Sequence, residues 1–172
     1  NLLVMSDHCG THMDAPFHFI REGLTIENVS LARLIGPAVV CDVSDAKGPF
    51  IEREDLEGSL QRVKVKPKRN GIALLRTLGS SATGKGLARG AAELLVDLGV
   101  KLVGTDHGGI DDTRNRDRPA HMVLLGRGVI VVESLVGLDR IKGDEVLFMA
   151  FPLAMDGGTG SPVRPVVVDP LP

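Results

Sequence analysis

The chain has 172 residues, 43% of them apolar and 24% charged, a globular composition long enough to bury one sizeable core. A formal net charge of −2, five Phe and neither Trp nor Tyr leave no basic, aromatic-bearing surface of the kind nucleic-acid binding uses. No apolar run has the length of a membrane span and no basic-then-apolar leader pattern is found, so the expectation is one domain over 1–172, cytoplasmic, with neither a nucleic-acid nor a membrane partner.

In chain order, "NLLVM" (1–5) reads as a buried strand. It opens inside an apolar run without an initiator Met, from which a missing upstream N-terminal segment is expected. "GPAVVCDVS" (36–44) and "GIALLRT" (71–77) are short, β-branched and bounded by Gly or polar residues, the pattern of buried strands. "VKLVGTD" (100–106), "GVIVVES" (128–134), "DEVLFMAF" (144–151) and "VRPVVVD" (163–169) follow suit. Between them lie three helices. Over 53–63, Leu56, Leu60 and Val63 fall at i, i+4 and i+7; over 87–98, Leu87, Ala91, Leu94, Leu95 and Leu98 share a face that ends near Gly99, a suitable residue just past a helix end. A short helix starts at Pro119 and runs to about Leu125. The sum is a mixed α/β domain with many strands and few helices.

Cys9 and Cys41 lack a C-x-x-C partner and read as buried free thiols rather than a disulfide framework or a zinc knuckle. "VKVKPKRN" (63–70) is a patch for phosphate or an acidic partner or, being brief and without aromatic company, a solvated loop. "GSSATGKG" (79–86) matches the first seven positions of a phosphate-binding P-loop, with Lys85 as its lysine. The eighth position, which should carry a Mg²⁺-ligating hydroxyl, is Gly86, so the competing reading is a flexible Gly/Ser loop or the rim of a site.

The densest chemistry lies in "SDHCGTHMDAPFHF" (6–19), which holds His8, His12, Asp14 and His18. Gly10 and Pro16 speak against a helix, and a strand running into a tight loop is expected, in which the side chains can converge. Two imidazoles and a carboxylate form an open set for a divalent metal, which acidifies bound water. The alternative is an ordinary polar loop. His18 is either a further ligand or a proton shuttle. His121, in the short helix, and Glu133, at the end of an apolar strand, are natural additional ligands or else solvent-facing residues. If Asp14 bridges, its two oxygens serve two metals, with His121 and Glu133 completing the second. "GTDHGGIDD" (104–112), with Asp106, His107, Asp111 and Asp112, is a site-lining loop or a plain Asp/Gly turn.

"HCGTHMDAPFHF" resembles the H-x-G-T-H-x-D-x-P-x-H-F signature of the metal-dependent cyclase/hydrolase family that includes bacterial kynurenine formamidase and isatin hydrolase. The likeness continues through "LARLIGPAVVCDVS", "ALLRT", "GVKLVGTD", "HMVLLGRGVIVVESLVGLDRI" and "FPLAMDGGTGSPVRPVVV" in order. The resemblance implies a swivelling β/β/α-type fold and a homodimer or homotetramer. It implies His8, His12 and Asp14 on a first Zn²⁺ or Mn²⁺, Asp14, His121 and Glu133 on a second where two are present, and His18 as catalytic acid/base. The implied reaction is hydrolysis of a small-molecule amide, an aryl formamide such as N-formylkynurenine or a cyclic amide, by metal-activated water. Two departures stand out: the family's strand and loop before the signature are not in this sequence, and "LGSSATGKG" replaces a block that often carries an aromatic residue. Phe17, Phe19 and subunit contacts are then what is left to line an aromatic pocket. A cyclase or lyase on the same scaffold is the second reading, separable because hydrolysis adds one water to the product mass. A non-enzymatic nucleotide-binding protein using Lys85 is the third.

Overall fold

A computed structural model describes residues 2, 4–78, 85–112 and 114–170. Its centre is one sheet of eight strands: β1 (His12–Asp14), β2 (Ile35–Asp42), β3 (Ile72–Arg76), β4 (Leu102–Thr105), β5 (Ile130–Glu133), β6 (Glu145–Met149), β7 (Gly160–Pro162) and β8 (Val166–Val168). The spatial order is β7-β1-β5-β4-β3-β2-β6-β8. The four middle strands β2 to β5 run parallel and are joined through the helices α1 (Arg53–Arg62), α2 (Arg89–Asp97) and α3 (Pro119–Gly126). The outer pairings are antiparallel.

Because side chains alternate along a strand, the sheet builds two apolar layers. Val39, Cys41, Leu75, Val103 and Val131 face the helices, where Leu56, Leu95 and Leu124 meet them. Val40, Leu74, Leu102, Val132 and Phe148 face the other way, onto Leu34, Leu135 and Leu138. Burial on both faces explains why the parallel strands read as unbroken apolar runs. The helices start and stop where local chemistry says. The Asp55 carboxylate accepts from the Glu52 N–H at 2.9 Å at the head of α1. Past α2, Gly99 sits at φ +74°, the left-handed conformation that glycine adopts without penalty.

Two expectations need correction. The described residues of the first five supply no strand: Leu2, Val4 and Met5 are outside any strand and 90%, 84% and 47% exposed. Apolar composition favours burial but does not provide a pairing partner, and among the described residues no strand takes this segment up. The strand lies later, at His12–Asp14, with partners on both sides, and it runs into the tight 3-10 turn Pro16–His18 as the signature suggested. Cys9 is exposed, whereas Cys41 is buried as expected. The basic run 63–70 is a solvated loop with its lysines exposed. Among the described residues no helix is long and apolar enough to cross a membrane.

Candidate metal centre

Strand β1 places its polar side chains by parity. Met13 points into the apolar layer away from the helices and is 0% exposed, so His12 and Asp14 point to the helix side. Across the ladder His12 is paired with Glu133, the last residue of β5. His121, in the first turn of α3, descends on the same face. His8 comes from the turn before β1, and His18 closes the 3-10 turn Pro16–His18 after it. All six sequence candidates are thereby brought to one place. His12, Asp14, His121 and Glu133 are buried; His8 and His18 are half-buried.

Asp14 sits in the middle. Its Oδ1 lies 2.7 Å from His8 Nδ1 and 3.4 Å from His12 Nε2, and its Oδ2 lies 3.2 Å from His121 Nε2. Glu133 reaches the same rings, with Oε2 3.4 Å from His12 Nε2 and Oε1 3.1 Å from His121 Nε2. Ligand atoms of His12, Asp14 and Glu133 all lie within 4.8 Å of one another, as do those of His8, Asp14 and His18. Glu133 thus borders His12 as well as His121, a proximity that sequence spacing does not reveal.

Each of three imidazoles spends one nitrogen outward. His12 Nδ1–H donates to the Gly10 carbonyl at 2.8 Å. His121 Nδ1–H donates to Asp111 Oδ2 at 2.6 Å. The Thr159 hydroxyl donates to Asp7 at 2.8 Å, so at 2.8 Å it accepts from His8 Nε2–H. In a neutral ring the remaining nitrogen carries a lone pair aimed at carboxylate oxygens, which are acceptors too. Facing acceptors at these distances need a positive charge between them. No Lys or Arg pairs with Asp14, Glu133 or Asp111 among the described residues. The donor set therefore fits a divalent cation, with the outward partners fixing the rings as they do around bound metals.

Without an ion, protons on these inward nitrogens supply that charge. Burial pushes the Asp14 carboxyl up, but bonds from His121 and His8 hold it well below the usual carboxylate range. Burial pulls His121 down, yet its bonds to Asp111, Asp14 and Glu133 raise it to about 11. His8 is likewise raised against burial by Asp14. His18 goes the other way, lowered by burial and only partly offset by Asp14. Its ring is held by its faces: stacked on His8 at 3.9 Å and edge-on to Phe19 at 4.4 Å.

Elsewhere in the loop after β4, Asp106 accepts from Thr77 N–H and Oγ1–H and from Leu78 N–H, while His107 Nδ1 bonds the Gly109 carbonyl at 2.5 Å. Asp111 and Thr159 are the contributors that sequence reasoning did not single out for the site. Asp111 stood in a loop with two readings, and Thr159 carries no spacing signal. The P-loop match falls on residues 79–84, outside the described residues. Of its remainder, Lys85 donates to the Ala46 carbonyl, and Gly86 packs so closely that an added Cβ would lie 2.0 Å from Asp112 N.

The Cyclase family model matches residues 1–112. The kynurenine formamidase of Delftia acidovorans is 34% identical over 172 residues, covering 96% of this chain and 78% of that protein. That of Paracidovorax citrulli is 37% identical, covering 98% and 79%. Among solved structures, a potential metal-dependent hydrolase with cyclase activity superposes with TM-score 0.83 at 28% identity, over 98% of this chain and 82% of that one. Isatin hydrolase A from Labrenzia aggregata does so with TM-score 0.84 at 27% identity, over 95% and 74%.

Proposed function

This chain belongs to the Cyclase family, and on that premise we propose a metal-dependent amide hydrolase in which His8, His12 and Asp14 hold one divalent ion, Asp14, His121 and Glu133 a second, and His18 moves protons. Zn²⁺ and Mn²⁺ are the ions that suit this imidazole and carboxylate set. Bound there, such an ion supplies Lewis acidity, polarising a carbonyl and acidifying water.

The observation that carries the division of labour is the contrast among the imidazoles. His8, His12 and His121 each have one nitrogen tied outward and one turned in. His18 is held only by its ring faces, and among the described residues no hydrogen bond occupies its nitrogens. A ring kept in place yet free at both nitrogens suits a proton shuttle: it takes a proton from the attacking water and returns it to the departing amine. Burial that lowers its proton affinity keeps the ring neutral near pH 7. Asp14 and Glu133, acceptors only, would hold the ions beside the inward-facing rings.

The substrate we propose is an aryl formamide of the N-formylkynurenine type, in line with the names of the curated relatives. Water adds across the amide to give formate and the free aryl amine. A cyclic amide of the isatin kind is the neighbouring choice, suggested by the structural relatives. We extend the proposal to a homodimer or homotetramer, supported by edge strand β8 with Val166 and Val168 47% and 38% exposed.

The test is metal analysis of the purified protein, joined to a screen of formamides, cyclic imides and lactams read by product mass. Stoichiometric metal, turnover lost on chelation, and His18→Ala that keeps its metal but not its activity are expected. Absence of metal, with no stabilisation by added Zn²⁺ or Mn²⁺, refutes the reading, and an unchanged product mass turns it to a cyclase or lyase.

A further inference from the structure

We infer that Asp111 is the positioning residue for His121, its one carboxylate fixing both the tautomer of that ring and the start of the helix that carries it. The inference rests on the metal site proposed above. Asp111 is 0% exposed, and its ion-pair partner among the described residues is His121. Its Oδ2 accepts from His121 Nδ1–H at 2.6 Å and from the His121 backbone N–H at 3.0 Å; its Oδ1 accepts from Ala120 N–H at 2.9 Å.

The head of α3 shows what this carboxylate replaces. The first N–H groups of a helix lack partners within it. Pro119 has no N–H, Ala120 and His121 give theirs to Asp111, and Met122 bonds Arg118 O at 3.0 Å. Arg118, at the capping position, is left-handed at φ 47° and makes no side-chain cap. A Ser, Thr or Asn there would cap the helix without burying a carboxylate. What such a cap could not do is reach His121 Nδ1. With Nδ1 committed as donor, Nε2 is the nitrogen left for an ion, and it faces Asp14 and Glu133. The preceding residue works on the same centre, because Ile110 N–H donates to Glu133 Oε1 at 2.6 Å. One short loop therefore sets two of the proposed ligands, and a carboxylate behind a ligating imidazole also makes that ring a stronger ligand.

The experiment is a Zn²⁺ titration against a chromogenic chelator with the unmodified protein, Asp111→Asn, His121→Ala and the double variant. Asp111→Asn is expected to weaken the same equivalent of metal that His121→Ala weakens, by about 10–100-fold, to leave any other equivalent unchanged, and to add nothing in the His121→Ala background. Equal weakening of all equivalents, or the same further loss without His121, reduces Asp111 to general structure and overturns the inference. Proton NMR of the metal-free protein decides independently of metal and of how the variants fold. A slowly exchanging, far-downfield His121 Nδ1 proton in the unmodified protein is expected, and its absence refutes the bond. If no ion binds at all, the proposed function falls while this signal still judges Asp111.

Discussion

Replacing Gly160 by Ala adds one methyl group next to the proposed centre. Gly160 stands opposite Asp14 in the β1–β7 ladder. Its missing Cβ would lie 2.6 Å from His8 Cε1, 3.0 Å from His8 Nδ1 and 2.6 Å from the Met13 carbonyl oxygen. The first contact falls short of the 3.4 Å edge of ordinary packing by about 0.8 Å. The His8 ring has to retreat by that much, which stretches its 2.7 Å approach to Asp14 out of hydrogen-bond range. The Met13 oxygen belongs to β1 and yields only if the two strands part. Overpacking of this kind costs about 1–3 kcal/mol, and a misplacement near 1 Å lowers a rate by about 100-fold. Urea unfolding of the metal-free variant reads the first, metal titration and initial rates read the second. A Gly160→Ala protein within about 0.5 kcal/mol of the unmodified one, with unchanged metal affinity and rate, would show that His8 is not confined by β7.

The acid limb of the kcat/KM profile is expected below pH 6.5. Burial depresses His18, so its basic form persists below the pH at which a free imidazole charges, and a nearby divalent cation repels the added proton in the same direction. The corresponding stability contribution is present above the unfolded value of 6.5 and is lost as pH falls toward the folded one; a limb above 6.5 in the rate profile contradicts the assignment. In the native protein a thiol reagent should label Cys9 and spare Cys41, whose thiol burial pushes up to about 12, whereas both react in denaturant; equal labelling of both in the native state would contradict the burial of β2.

The parts legible in the sequence were those with local causes. Leu56 with Leu60, and Ala91 with Leu94 and Leu95, announce helices because a 3.6-residue period needs no knowledge of what packs against it. The parallel strands announce themselves as apolar runs. Strand β1 did not, because "HMD" is three residues long and mostly polar, and its buried polar side chains run against the rule that polar means exposed. "GSP" of β7 has no alternation at all. The strand order was equally hidden, since the insertion of β1 between β5 and β7 rests on contacts more than a hundred residues apart. In the site, the signature exposed the residues that face inward. The groups behind them, Asp111 ten residues before His121 and Thr159 beyond His8 by 151, act through space and leave no mark in spacing.

The alternation within β1 has a consequence for folding fidelity. A strand slipped by one residue turns every side chain to the opposite face. Slippage of β1 would carry Met13 in among the imidazoles and push His12 and Asp14 into the apolar layer formed by Val132, Leu135 and Ile26, unpaired and without water. Neither half of that exchange is tolerable, so the driving force that buries a single methionine also guarantees the arrangement of the polar cluster. Misassembled centres are thereby excluded during folding itself, before any ion arrives to select among them.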